Sequence, residues 1–107
     1  MSRVLCQLED ITDGEGRGFE MDGGGDDIFV VRRGERAHGY VNVCPHAASP
    51  LDWVENQFMN IDKSHIMCAT HGAEFRIEDG FCVQGPCRGK SLAPVAVTVR
   101  DGHVVLD

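Results

Sequence analysis

The sequence predicts an all-β fold, and three observations predict it. Short apolar runs rich in Val, Ile and Phe recur along the chain, several with the period-two alternation of a half-buried strand. Turn signals punctuate them at Asp13-Gly14, Gly23-Gly24-Gly25, Asp79-Gly80 and Asp101-Gly102. No stretch sustains a helical period. The expected architecture is a sandwich or barrel-like stack of short strands with one decorated end.

Each run can be justified in order. VLCQL (4–8) puts Cys6 in a strand pattern, and hence in the core. DIFVVRR (27–33) and HGYVNV (38–43) follow, then the shorter HIMC (65–68) and AEFRI (73–77). SLAPVAVTV (91–99) and HVVLD (103–107) flank Asp101-Gly102, and VAVTVRDGHVVLD reads as a hairpin because Asp-Gly suits a tight turn between alternating runs. The best helical candidate is the short segment from Asp52 to Met59.

With 107 residues, no repeats and no low-complexity linker, the chain reads as one domain over 1–107. That is near the lower end of what buries a self-sufficient core, so a bound metal centre or a partner would help it. Hydrophobic residues at 42% and charged residues at 25% are ordinary globular values and argue against disorder. The N-terminal MSRVLCQLEDITDG lacks a basic stretch followed by an apolar run, and no segment approaches the roughly 18 apolar residues of a membrane span. A soluble, cytoplasmic protein is therefore expected. In such a reducing setting the five cysteines are ligands or buried thiols rather than a disulfide framework.

Charge is unevenly placed. Between residues 9 and 27 eight carboxylates face Arg17 alone, so this segment carries the whole formal charge of −7. It reads as a solvated acidic face, with steering toward a basic protein partner as the functional alternative. Nucleic-acid binding is excluded, because no cationic stripe is offered to phosphates.

Two Cys/His pairs carry the chemistry: Cys44-Pro45-His46 and, 21 residues after His46, Cys68-Ala69-Thr70-His71. Thiolate and imidazole together suit zinc or iron. A C2H2 finger would pair Cys with Cys and His with His, whereas here each pair is mixed and follows a strand-like run. Two such loops facing each other would present two thiolates to one iron and two imidazoles to another, the ligand division of a Rieske-type [2Fe–2S] centre.

Cys44, His46, Cys68, His71 and Gly72, followed by Phe75, Gly80, Gly85-Pro86, Leu92 and VTVRDGHVVL, resemble the Rieske ferredoxin family over nearly the whole chain. The resemblance implies a Rieske-like stack of short antiparallel sheets with a small cluster-binding subdomain at one end, its loops at about 43–50, 67–73 and 83–88. It implies one [2Fe–2S] cluster, with Cys44 and Cys68 on the buried iron and His46 and His71 on the outer iron. It also implies that Gly85-Pro86 covers the cluster as a third loop. The spacing of 21 residues is a few more than is usual in the family. The extra length falls around DWVENQFMNIDKS, where a loop absorbs it at small entropic cost.

Charge counting bears on the potential. Two ferric ions, two sulfides and two thiolates sum to zero with neutral imidazoles, where an all-Cys cluster is negative, so reduction is easier than in plant-type ferredoxins. Within the family, high-potential members add a disulfide between the cluster loops and Ser and Tyr hydroxyls donating to the cluster sulfurs. The corresponding positions here are Ser49 and Thr70 for the disulfide, and Ala73 and Phe75 for the hydroxyls. Fewer donors to sulfur stabilise the reduced cluster less.

Cys82 and Cys87 flank the Gly-Pro loop and read as buried thiols, with a mutual disulfide or a metal as alternatives. His38, His65 and His103 read as surface or strand-end histidines. Trp53 and Phe58 pack beneath the loops or form part of a docking surface, and Arg88 and Lys90 are solvated or pair with a partner's acids.

No nucleotide fingerprint, mononuclear iron triad or catalytic Ser–His–Asp set accompanies the cluster motif. The expected function is a soluble one-electron carrier, not an enzyme, with no small-molecule substrate of its own. The resemblance implies passage of electrons from a flavin-containing reductase to a terminal oxygenase or similar enzyme, as a monomer. A tightly bound subunit of a larger oxidoreductase, and a zinc-bound or metal-free interaction module, remain as alternatives. Potentiometric titration is expected to give a midpoint on the order of −150 mV; a clearly positive value overturns the low-potential reading. Repeated toward pH of about 10, the midpoint should fall as the imidazoles of His46 and His71 deprotonate in the oxidised protein.

Overall fold

The computed structural model describes residues 3–21, 27–45, 51–52, 56–68 and 72–107. Among them are ten short strands and no α-helix: β1 (Arg3–Gln7), β2 (Gly16–Phe19), β3 (Ile28–Arg33), β4 (Arg36–Val41), β5 (Ile66–Met67), β6 (Glu74–Phe75), β7 (Cys82–Gln84), β8 (Pro94–Val95), β9 (Val97–Arg100) and β10 (His103–Leu106), with one 3-10 turn at Leu8–Asp10. They form three antiparallel sheets, ordered β1-β10-β9, β2-β3-β4-β8 and β5-β6-β7.

Strand β3 is the wall between two cores. Its alternation sends Phe29 and Val31 into a cluster with Tyr40, Leu51, Phe58, Ile66, Phe75 and Leu92, and sends Val30 into a second cluster with Leu8, Ile11 and Val104. All four residues Ile28–Val31 are buried, which is why this strand reads as a continuous apolar run rather than an alternating one. The hairpins behave as their turn residues require. Asp101 and Gly102 both take positive φ, 50° and 76°, as a two-residue primed turn demands.

The structure departs from the sequence expectations in four places. The helical candidate Asp52–Met59 is not helical where it is described: Asn56 has φ 66°, Met59 bridges Ile66 as in a strand, and the Phe58 carbonyl accepts the Met67 N–H at 2.8 Å. Tertiary packing overrides local propensity there, because the Phe58 ring stacks on Phe29 with centroids 4.4 Å apart. The 91–99 run divides between sheets, Pro94–Val95 pairing with β4 and Val97–Arg100 with β10. Pro94 lacks a donor for an interior ladder and accordingly stands on the edge strand. Strands β2 and β7 were not anticipated, since GRGF and CVQ are too short or too glycine-rich to show alternation. Cys6 lies in β1 but is only partly buried against the second core.

Tyr40 ties the second sheet to the third. It is 2% exposed, and its hydroxyl donates to the Ile77 carbonyl at 2.6 Å. A Cβ at Gly80, where φ is +73°, would stand 2.7 Å from Tyr40 Cε1, so only glycine lets this turn close on the ring. Burial pushes the Tyr40 phenol up to about 12, with Asp79 and Glu78 adding to the shift.

Tyr40→Phe leaves the Ile77 carbonyl without its donor and is expected to cost about 1–2 kcal/mol in urea denaturation. The native phenol stays protonated above the value of 10.0 at which the unfolded chain ionises. Wild-type stability is therefore whole below about pH 10 and falls by up to about 1.4 kcal/mol per unit between about pH 10 and 12. The Phe variant should lack that component of the slope.

Candidate cluster site

Three loops converge at one end of the larger core. The first leaves β4 through Asn42 and is described as far as Pro45. The Asn42 N–H donates to the Asp27 carbonyl at 2.8 Å, its side-chain oxygen accepts the Leu51 N–H at 2.8 Å, and its amide donates to Asp52 Oδ1 at 3.1 Å. One side chain thus fastens both ends of the loop. Sequence reasoning missed Asn42; the available signal was an Asn placed where a strand gives way to a loop, where its side chain competes for backbone groups.

The second loop is the tip of the β5–β6 hairpin, where Ile66 pairs with Phe75 and Met67 with Glu74. The Cys68 N–H donates to the Ala73 carbonyl at 2.8 Å and the Gly72 N–H to the Cys68 carbonyl at 2.9 Å, with Gly72 at φ 69°. These two hydrogen bonds close the described ends of the loop, where Cys68 enters the core.

The third loop closes at its neck. The Cys82 N–H donates to the Lys90 carbonyl at 2.8 Å and the Lys90 N–H to the Cys87 carbonyl at 2.9 Å. Gly85, at φ 101°, brings its backbone against the second loop: a Cβ there would lie 2.7 Å from Ala73 Cα. The Gly-Pro segment thus seats directly on residue 73, two positions after His71.

Cys44 and Cys68 are both fully buried and share one apolar cluster with Leu51, Ala73, Phe75, Cys82 and Cys87. His46 and His71 lie outside the described residues, as do Ser49, Trp53 and Thr70. Phe58 is fully buried beneath this end of the core, so it packs there and forms no part of a docking surface. His38 lies in β4, His103 opens β10, and the His65 ring nitrogen Nδ1 is 2.9 Å from Ser64 Oγ. Cys82 and Cys87 are buried thiols: Cys87 donates to Cys82 Sγ at 3.2 Å, and Cys82 to the Gln84 carbonyl at 3.2 Å. Burial first, then the Cys82 hydrogen bond and the charges of Cys82 and Cys44, push the Cys87 thiol up. Arg88 and Lys90 are exposed on the rim.

The Rieske [2Fe-2S] domain model matches residues 2–100, and the chain belongs to that family, whose prosthetic group is a single [2Fe–2S] cluster. In fold it is similar to the ferredoxin of carbazole 1,9a-dioxygenase from Nocardioides aromaticivorans IC177, at 24% identity over 99% of this chain and 96% of that one, with a TM-score of 0.80. It is similar to a Sphingomonas yanoikuyae B1 ferredoxin at 25% identity over 100% and 98%, TM-score 0.79. A third likeness is to a chain in a complex of reduced oxygenase and oxidised ferredoxin in carbazole 1,9a-dioxygenase, at 24% identity over 98% and 91%, TM-score 0.80. No curated protein matches the sequence. The described part of the site fits the cluster: two buried thiols in one apolar region bear charge readily only when a cation neutralises it, and ferric iron is such a cation.

Gly85→Ala is expected to lift the third loop off Ala73 and to hasten loss of visible absorbance under chelator challenge. Gly89→Ala, at φ 90° with nothing within 4 Å of its Cβ, should pay only about 1–2 kcal/mol of backbone strain and keep its chromophore. Equal behaviour of the two variants would show that the contact with Ala73 is dispensable.

Proposed function

We propose that this chain is a one-electron carrier that holds its cluster on Cys44, His46, Cys68 and His71 and delivers electrons to a terminal oxygenase. The observation that carries the reading is the meeting of Cys44 and Cys68, 24 positions apart, as fully buried thiols from two separate loops of a family whose model spans 2–100. One-electron oxidation and reduction is the chemistry the cluster supplies when bound.

The chain's own residues do the rest. Cys44 and Cys68 offer thiolates from inside the core, and His46 and His71, which lie outside the described residues, are the proposed imidazole ligands. Asn42 fixes the entry and exit of the first loop, so Cys44 keeps its aim. Leu51, Phe75 and Leu92 keep water from the thiolate side. Ala73 and Phe75, both fully buried, carry no hydroxyl to donate to a sulfur, in keeping with the low potential expected above.

For the partner, support comes from a similar chain seen in a complex of oxygenase and ferredoxin. A flavin-containing reductase is the proposed donor, the carrier acts as a monomer, and the setting is the cytoplasm. Among the described residues no helix is long and apolar enough to cross a membrane.

The purified protein should be red-brown and carry about two irons and two acid-labile sulfides per chain. Reductive titration should consume one electron per chain. Cys44→Ala and Cys68→Ala are each expected to abolish the chromophore. A colourless, zinc-loaded wild type would sink the proposal.

A further inference from the structure

Cys82 and Cys87 stand outside the proposed ligand set, yet they are placed with care. Both are buried, at 0% and 1% exposure, and their sulfurs stand 3.2 Å apart with the Cys87 S–H directed at Cys82. They bracket Gln84, Gly85 and Pro86, the segment seated on Ala73. The neck of that segment is pinned by the Cys82 N–H on the Lys90 carbonyl and the Gly89 N–H on the Cys82 carbonyl at 3.4 Å. Backbone pinning therefore holds the two thiols face to face, and a small closure of the loop would bring them to bonding distance. Cys6, in β1 of a different sheet, is remote from the pair in the topology.

We propose that Cys82 and Cys87 form a reversible dithiol–disulfide couple within the third loop, with a low-molecular-weight disulfide such as oxidised glutathione as co-reactant. One protein thiol attacks the small disulfide, forming a mixed disulfide and releasing one small thiol. The other protein thiol then attacks the mixed disulfide at the protein sulfur and releases the second. Two electrons pass from the protein sulfurs to the co-reactant, and the two S–H protons leave on the two small thiols. Gln84, Gly85, Pro86, Arg88 and Gly89 are exposed, so access is through the outer face of the loop, and burial of the sulfurs makes the exchange slow.

Oxidation removes two donors at once, the Cys87 S–H on Cys82 and the Cys82 S–H on the Gln84 carbonyl. The segment that must then readjust is the one whose Gly85 backbone lies against Ala73. The couple itself follows from the fold alone; its effect on electron transfer rests on the cluster reading given above.

Tryptic digestion separates the cysteines cleanly. Cleavage after Arg76 and Arg88 leaves Cys82 and Cys87 together in the peptide Ile77–Arg88, while Cys6, Cys44 and Cys68 fall in three other peptides. The cluster-loaded protein would be equilibrated across a series of reduced-to-oxidised glutathione ratios, quenched in acid, alkylated and mapped by mass spectrometry. At the oxidising end, Ile77–Arg88 is expected unalkylated and lighter by two hydrogens, reverting with dithiothreitol, while the visible spectrum persists. In Cys87→Ser the deficit should vanish, and in Cys6→Ser it should remain. A doubly alkylated Ile77–Arg88 at every ratio, a stable glutathione adduct as end point, or a crosslink to another peptide each overturns the proposal. A colourless protein that still forms the disulfide would sink the cluster reading and leave the couple standing.

Discussion

Phe29 and Val31 turn one way from β3 while Val30 turns the other, so a single strand supplies wall to both cores. In a chain of 107 residues that economy matters, because there is too little apolar surface to build two independent interiors. The second sheet is fixed between its neighbours by this shared strand. With it fixed, Tyr40 on β4 can reach the Ile77 carbonyl and hold the third sheet against the same core. Were β3 to shift by one residue, its apolar side chains would exchange cores, and the seat of both thiol-bearing loops would be lost.

The loops at that end meet a second demand. A loop in the interior must find partners for its backbone. At its described ends the second loop does so through Cys68, Gly72 and Ala73. The first borrows a side chain, Asn42, and the third borrows the neck of its own hairpin between Cys82 and Lys90. The described ends of these loops are joined by hydrogen bonds rather than by regular secondary structure.

Much of this was legible in the sequence, for identifiable reasons. The apolar runs at 27–33 and 103–107 and the Asp101-Gly102 turn announced their strands because period and turn chemistry agree there. The mixed Cys/His pairs pointed to the Rieske family, whose domain model matches residues 2–100, while His46 and His71 themselves lie outside the described residues. The segment after Asp52 misled because its helical look was local, whereas Phe58 is held by stacking on Phe29 from a distant strand. Strand β2 was hidden for a related reason. Gly16 and Gly18 have no side chains to alternate, and their purpose shows only in three dimensions, where a Cβ on Gly16 would meet the Phe58 ring at 3.1 Å. Asn42 was hidden because a clamp is defined by its partners, Leu51 and Asp52, and not by its own position in a pattern.

Ala73 occupies an unusual crossroads. It is fully buried, its carbonyl accepts the Cys68 N–H, and its Cα and Cβ form the floor on which Gly85 rests. By the resemblance drawn from the sequence, it is also the position expected to carry a hydroxyl in high-potential members of the family. Enlarging the side chain to install such a donor would press on the third loop, whose own glycine is already as small as a residue can be. Retuning this protein toward a higher potential is therefore not a one-residue change. On the proposed cluster reading, the electronic environment and the mechanical cover of the site meet at the same methyl group, and a chain that alters one must rebuild the other.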